Sequence, residues 1–367
     1  MPDASTPSLF DPITLGAIAA PNRILMAPLT RGRADQRSVP TPIMAEYYAQ
    51  RADAGLIISE ATGISRGGLG WPFAPGLWSD EQVEAWKPVT AALHAAGGRI
   101  VAQLWHMGRQ GHSSVYEAQP VSSSATRTEG QAHTYQGKQA FEVARPLTVD
   151  EIPALLDDYD RATRNALAAG FDGVQIHAAN GYLIDQFLRD NANFRDDRYG
   201  GAPENRIRLL REVTERVAAV AGADRTSVRL SPNGESQGVD DSNPAAVFLP
   251  AAKALAEIGI AFLELREPGP EGTFGRTTVP ALSPQVRQVF TGPLVLNSDY
   301  DTTAKAQAAL DSGVADAISF GRPYLANPDL VTRLRTGAPL NPMDPRTMYS
   351  QGPEGYTDYP ALETVDA

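Results

Sequence analysis

The chain has 367 residues, no Cys and a formal net charge of −11. Without Cys, disulfides, thiolate nucleophiles, iron–sulfur clusters and Cys-ligated zinc are excluded. The acidic balance argues against nucleic-acid or anionic-membrane partners, and the length suits two domains or one large α/β barrel. The first ten residues have no basic start or apolar stretch, and no run reaches a membrane span, so a cytoplasmic enzyme is expected.

Apolar runs and helix signals alternate along the chain. Residues 23–28 and 55–61 predict the first two strands. Asp80-Glu81 opens a helix that runs to Leu93 and ends near Gly97-Gly98. A third strand follows at 99–105. Thr148-Val149-Asp150-Glu151 is a capping pattern for a helix ending at Gly170, before a strand at 171–177. Pro203-Glu204-Asn205 opens the next helix, with Val213 and Val217 at helical spacing, and a strand follows at 227–231. Asn243-Pro244 caps a helix ending at Gly259, followed by strands at 260–265 and 293–297. Thr302-Thr303 opens a helix ending at Gly313, and 315–320 is the last strand.

Continuous apolar runs imply strands covered on both faces, as in a parallel sheet. Eight such units predict a (β/α)8 TIM barrel. A doubly wound open sheet competes, but no Gly-x-Gly-x-x-Gly follows the first strand. No linker divides residues 1–367, so one domain is expected. Residues 107–147, rich in Ser, Gln, Gly and Thr, read as a lid inserted after the third strand. The tail at 339–367 reads as ordered coil, and 9–15 as a small hairpin plugging the barrel bottom.

Barrel active sites lie at the C-terminal strand ends. Those ends carry Pro28-Leu29-Thr30, Glu60-Ala61, Gln103-Leu104-Trp105, His177, Arg229, Glu267, Asn297-Ser298-Asp299 and Phe320-Gly321-Arg322. Only His106 and His177 of the five His lie near strand ends, and no His-x-His pair is present, so no metal site is expected. The only lysines, Lys87, Lys138, Lys253 and Lys305, fall on predicted helices or in the insertion, which removes Schiff-base chemistry.

The hexapeptide His177-Ala-Ala-Asn180-Gly-Tyr182 follows the apolar run 173–176. His177 and Asn180 can aim donors at one acceptor oxygen, and Tyr182 can deliver a proton beside it. A satisfied polar turn is the alternative. Backbone N–H groups after the seventh and eighth strands, with the Arg322 guanidinium, suit a phosphate. Gln103 and Arg229 suit the edge of a heteroaromatic ring; pairing of Arg229 with a core carboxylate such as Glu60 is the other reading.

These residues together resemble the old yellow enzyme family of FMN-dependent ene-reductases. The likeness runs through 27–31, 102–109, 177–188, 198–201, Phe320-Gly321-Arg322, 326–330 and 354–360. It points to the N-ethylmaleimide reductase-like subgroup, which has Thr rather than Cys after Pro-Leu. The resemblance implies that Pro28, Leu29, Thr30 and Ala61 lie along FMN, and that Gln103 and Arg229 hold its pyrimidine edge. Ser298, Asp299, Gly321 and Arg322 would hold its phosphate. His177 also contacts FMN and, with Asn180, would bind the substrate's activating group; Tyr182 would be the proton donor. Trp71, Trp105 and Tyr349 would wall the pocket. NADPH or NADH would serve as reductant and activated alkenes, including nitro compounds, as substrates. The chain is then a monomer or a dimer.

Two departures stand out. Many relatives have His where this chain has Asn180, and Asn cannot become cationic. Asp299 puts a carboxylate near the phosphate, which requires its side chain to turn outward. Two other readings stay open: a flavin-binding redox sensor, and a metal-dependent barrel hydrolase.

Overall fold

The computed structural model describes residues 6–272 and 275–362. The first five residues of the leading stretch and the last five of the tail, on which expectations were also placed, lie outside the described residues. Eight parallel strands form the barrel: β1 (Ile24–Met26), β2 (Leu56–Ile58), β3 (Ile100–Trp105), β4 (Gly173–His177), β5 (Thr226–Leu230), β6 (Phe262–Arg266), β7 (Leu294–Asn297) and β8 (Ala317–Phe320). Each pairs with its successor, and β8 pairs with β1 to close the ring. Thr62–Gly63 adds a short strand beside the end of β3.

A helix follows every strand: α1 (Pro42–Ala49), α2 (Asp80–Ala95), α3 (Ile152–Ala168), α4 (Arg208–Ala221), α5 (Pro244–Ile258), α6 (Ser283–Val289), α7 (Thr303–Asp311) and α8 (Leu330–Thr336). Local chemistry explains several starts. Ser79 and Gln82 form a capping box on α2, as do Thr148 and Glu151 on the short turn before α3, and the Thr302 side chain caps α7. The sequence reading did not name α1, α6 or α8. None has a bonded side-chain cap or an acid in its first turn, and the Pro at the start of α1 and of α6 is the one local signal they carry.

The strands also end differently from the apolar runs. The run at 55–61 forms only a three-residue strand, and Glu60 beyond it already turns to donate its N–H to the Tyr48 hydroxyl oxygen. By contrast β6 continues to Arg266, one residue past the predicted end.

Leu25, Leu56, Ile58, Val101, Phe262 and Val295 fill the lower barrel interior. The hairpin Ile13–Leu15 with Ile18–Ala20 packs Leu15 and Ile18 against them, sealing the floor. The insertion at 107–147 carries a second hairpin, Gln131–Thr134 with Gly137–Ala140. The described part of the tail is irregular except for one turn at Pro345–Thr347.

Two arginines after β1 hold that tail. Arg31 donates to the carbonyls of Met348 and Gly355 and to the Tyr47 hydroxyl, and Arg33 to the carbonyls of Met348, Thr347 and Glu354. Tyr356 stacks on Tyr47 at 4.0 Å. Arg31 is 1% exposed, so its carbonyl partners depend on it. Truncation in Arg31→Ala should cost about 3 kcal/mol or more, since hydrogen bonds to buried charged groups are worth roughly 1.5–3 kcal/mol each. Urea unfolding and proteolysis of the tail check this; an unchanged midpoint and an uncut tail would show that the clamp is dispensable.

Candidate active site

The C-terminal strand ends open into a cavity of about 1240 Å³. Its deep wall is a polar belt set by strand register. Gln103 lies beside Gln175, His177 beside Arg229, and Arg229 beside Glu264. Gln103 donates to Gln175 at 2.8 Å, and Gln175 donates to Glu264 Oε2 at 3.0 Å. Arg229 places Nη1 at 2.5 Å from Glu264 Oε1 and donates from Nη2 to Asn297 at 2.7 Å. The Ser319 hydroxyl also donates to Glu264, which is fully buried.

Arg229 therefore pairs with Glu264 and not with Glu60. Alternation along β6 turns Glu264 into the barrel beside Arg229. Glu60 lies beyond the end of β2 and accepts the backbone N–H groups of Arg31 and Gly32. Burial raises its carboxyl to about 7. Glu267, also read as a strand-end candidate, points away and accepts the N–H groups of Leu282 and Ser283 at the start of α6.

Pro28, Leu29 and Thr30, with Ala61, line the cavity beside this belt. At the far end lie Ser298, Asp299, Gly321 and Arg322. Ser298 and Asp299 have φ of 154° and 49°, so the chain folds back sharply where β7 ends. Gly321 and Arg322 do not form the expected loop; Arg322 opens a short helix, Arg322–Ala326, with Pro323 in its first turn, where proline's fixed φ is favourable. Asp299 is exposed, and its charge acts on Arg266.

The hexapeptide lies above the belt. Burial, then the neighbouring Arg229 charge, push His177 well below the ordinary imidazole range, so it is neutral at physiological pH. The Ala179 N–H approaches its Nδ1 at 3.4 Å, which leaves Nε2 as the protonated nitrogen. Asn180 is held at φ 58°. Its N–H donates to Ser231 Oγ at 2.8 Å, its carbonyl accepts Gln237 Nε2 at 2.7 Å, and its Oδ1 accepts Arg266 Nη1 at 3.2 Å. The Tyr182 phenol is pushed up to about 12 by burial, against a hydrogen bond to Gln237 and the charge of Arg266, so it keeps its proton.

Trp105 stands perpendicular to Tyr182 at 4.9 Å. Trp71 and Tyr349 meet at the mouth, 5.2 Å apart, and His133 from the insertion lies 4.5 Å from Trp71. Tyr349 is 46% exposed, so it edges the pocket rather than filling it. Among the described residues, no group of three or more His, Asp or Glu side chains is placed to hold a metal.

The cavity fits FMN. Arg229 Nε, Ser298 Oγ and Trp105 Nε1 are buried with no hydrogen-bond partner, and all three residues line it. Buried polar atoms left unpaired are costly, so a polar ligand is expected to meet some of them.

Comparison with known proteins gives a family. Residues 8–341 match the model of the NADH:flavin oxidoreductase / NADH oxidase family. The chain belongs to this family. An old yellow enzyme homologue from Zymomonas mobilis superposes with a TM-score of 0.96 at 66% identity, over 97% of this chain and 100% of that one. Morphinone reductase in complex with tetrahydroNAD gives 0.93 at 45%, over 98% and 99%. A 12-oxophytodienoate reductase of Arabidopsis thaliana is 38% identical over 97% of this chain and 96% of its own. This old yellow enzyme is thus an FMN-dependent oxidoreductase reduced by a nicotinamide. Among the described residues no helix is long and apolar enough to cross a membrane.

Sequence reading missed Gln175, Glu264, Arg266 and Gln237. The first three follow from period-2 alternation: Gln175 shares a face with His177, and Glu264 with Arg266. Gln237 sits in a loop with no local signal. The tautomer of His177 in this old yellow enzyme is directly testable. Ring 15N NMR should show His177 still as neutral Nε2–H at about pH 6.5, where an ordinary histidine is half protonated. A half-protonated ring at that pH would contradict the effect of its burial beside Arg229.

Proposed function

We propose that this enzyme reduces alkenes conjugated to a carbonyl or nitro group, using NADPH or NADH. The supporting observation is convergence: neutral His177, the Asn180 amide and protonated Tyr182 border one cavity above the polar belt. Relatives named for morphinone and 12-oxophytodienoate support a carbonyl-bearing substrate.

When bound, FMN would supply the hydride chemistry that links a reduced nicotinamide to the alkene's β-carbon. Gln103 and Arg229 would hold its pyrimidine edge, Thr30 would bond its carbonyl region, and Pro28, Leu29 and Ala61 would pack along the ring. The backbones at Ser298, Asp299 and Gly321 would hold the phosphate together with the Arg322 guanidinium. His177 Nε2–H and the Asn180 amide bind the activating oxygen and stabilise the charge that grows on it. Tyr182 gives its proton to the α-carbon. Trp71, Trp105 and Tyr349 wall the substrate pocket. Residues 1–367 act as one FMN-binding domain in which 107–147 form the lid. The acidic surface and need for nicotinamide suit a cytoplasmic setting. A redox sensor with the same fold would bind flavin without rapid enone turnover.

Two variants test these roles. Arg322→Ala should weaken FMN binding by roughly 1.5–3 kcal/mol, the worth of a charge-assisted contact; equal dissociation constants would place the phosphate elsewhere. In Tyr182→Phe, flavin reduction by NADPH should change by less than about tenfold. Reoxidation by 2-cyclohexen-1-one should slow about 10²–10⁴-fold, the usual contribution of a positioned acid. Stopped-flow measurement of both halves decides it. Equal slowing would indicate a packing defect, and no slowing would mean another group delivers the proton.

A further inference from the structure

Asn180 stands where the pair with His177 needs a second donor, yet an amide carries no charge and has two orientations. Arg266 resolves both points. It is the last residue of β6, turned into the barrel, and 4% exposed. Its Nη1 lies 3.2 Å from Asn180 Oδ1. A guanidinium only donates, so the Asn180 atom facing it must be the oxygen, and the amide N–H2 is turned away from Arg266. Both residues line the cavity. The backbone of Asn180 is pinned on either side by Ser231 and Gln237, so the amide has little freedom to escape this arrangement.

The charge environment is mixed. Arg229 faces Arg266 from β5, Asp299 from the loop after β7, and Asp185 and Arg189 from the helix Leu183–Leu188 and its end. Asp185 is already engaged by Arg189 at 2.8 Å, and Glu264 by Arg229. Burial, then Arg229, lower Arg266 to about 10, which leaves it cationic at neutral pH. The same charge acts on Tyr182.

We propose that Arg266 is a positioning residue. It holds the Asn180 amide with N–H2 toward the substrate and supplies the positive charge Asn180 lacks, so that the pocket favours anionic oxygens such as phenolates and substrate enolates. This rests on the proposed role of His177 and Asn180.

The test uses FMN-loaded wild type, Arg266→Gln and Arg266→Lys, titrated with p-hydroxybenzaldehyde across pH. The readouts are the long-wavelength charge-transfer band and its pH midpoint, with FMN content measured for each protein. Arg266→Gln should bind the phenolate at least tenfold more weakly, with the midpoint raised by about one pH unit. Arg266→Lys should stay within about threefold of wild type. Affinity and midpoint unchanged in Arg266→Gln would overturn the proposal. So would a loss in Arg266→Lys as large as in Arg266→Gln. If the glutamine variant fails to hold FMN, the lysine variant decides by the same threefold criterion. A wild type without the band overturns the site reading and this proposal with it; a wild-type band that survives Arg266→Gln removes only the role of Arg266.

Discussion

Glu264 is a carboxylate with no solvent exposure in the middle of a barrel, and the site is arranged around giving it partners. A buried ion left unpaired costs several kcal/mol even after relaxation. Arg229, Gln175 and Ser319 all turn donors to it. Each partner is thereby fixed: Gln175 passes the order on to Gln103, and Arg229 reaches Asn297. The belt separates an apolar floor, closed by the N-terminal hairpin, from a polar cavity above. Orientation of Arg229 and Gln103 is thus settled by the barrel itself, before any ligand arrives. Such preorganisation is what makes polar groups effective in a site from which water is excluded.

The groups near this belt and those at the mouth are carried by different kinds of element. His177, Arg266 and Asn297 end their strands, and Arg229 is one residue from the end of its own. Asn180 and Tyr182 come from one tight turn. The mouth, by contrast, is assembled from three separate segments through Trp71, His133 and Tyr349. Precision is built into the groups that would face the reacting atoms, and adaptability into the groups that would meet the rest of a substrate. Charge follows the same division. The molecule carries −11, yet Arg229, Arg266 and Arg322 line the cavity. Net charge informed the exclusion of partners but said nothing of the cations placed, among acidic neighbours, within the cavity.

The barrel was legible because eight continuous apolar runs imply strands covered on both faces, and capping residues marked most of the helices between them. α1, α6 and α8 were missed because no bonded side-chain cap marks their starts. The sixteen residues singled out for the site all border one cavity; those at strand ends can be read from where apolar runs stop, whereas Trp71 and Tyr349 came only from the family resemblance. Reading those stops one residue short on β6 cost Arg266, and favoured Glu267, which faces the other way. The partner of Arg229 was misjudged for a related reason. Proximity to a strand end suggested Glu60, whereas side-chain alternation selects Glu264. Contacts between distant segments, such as Arg31 and Arg33 on the tail, leave no periodic trace at all.

The most direct test is the two-electron midpoint potential of bound FMN in Glu264→Gln against wild type. If Glu264 neutralises Arg229 beside the flavin edge, removing its charge leaves a cation there and favours the reduced form. The potential should rise on the order of 30 mV, equivalent to about 1.4 kcal/mol for a two-electron couple. A variant that binds FMN normally at an unchanged potential would show that the buried pair does not act on the flavin.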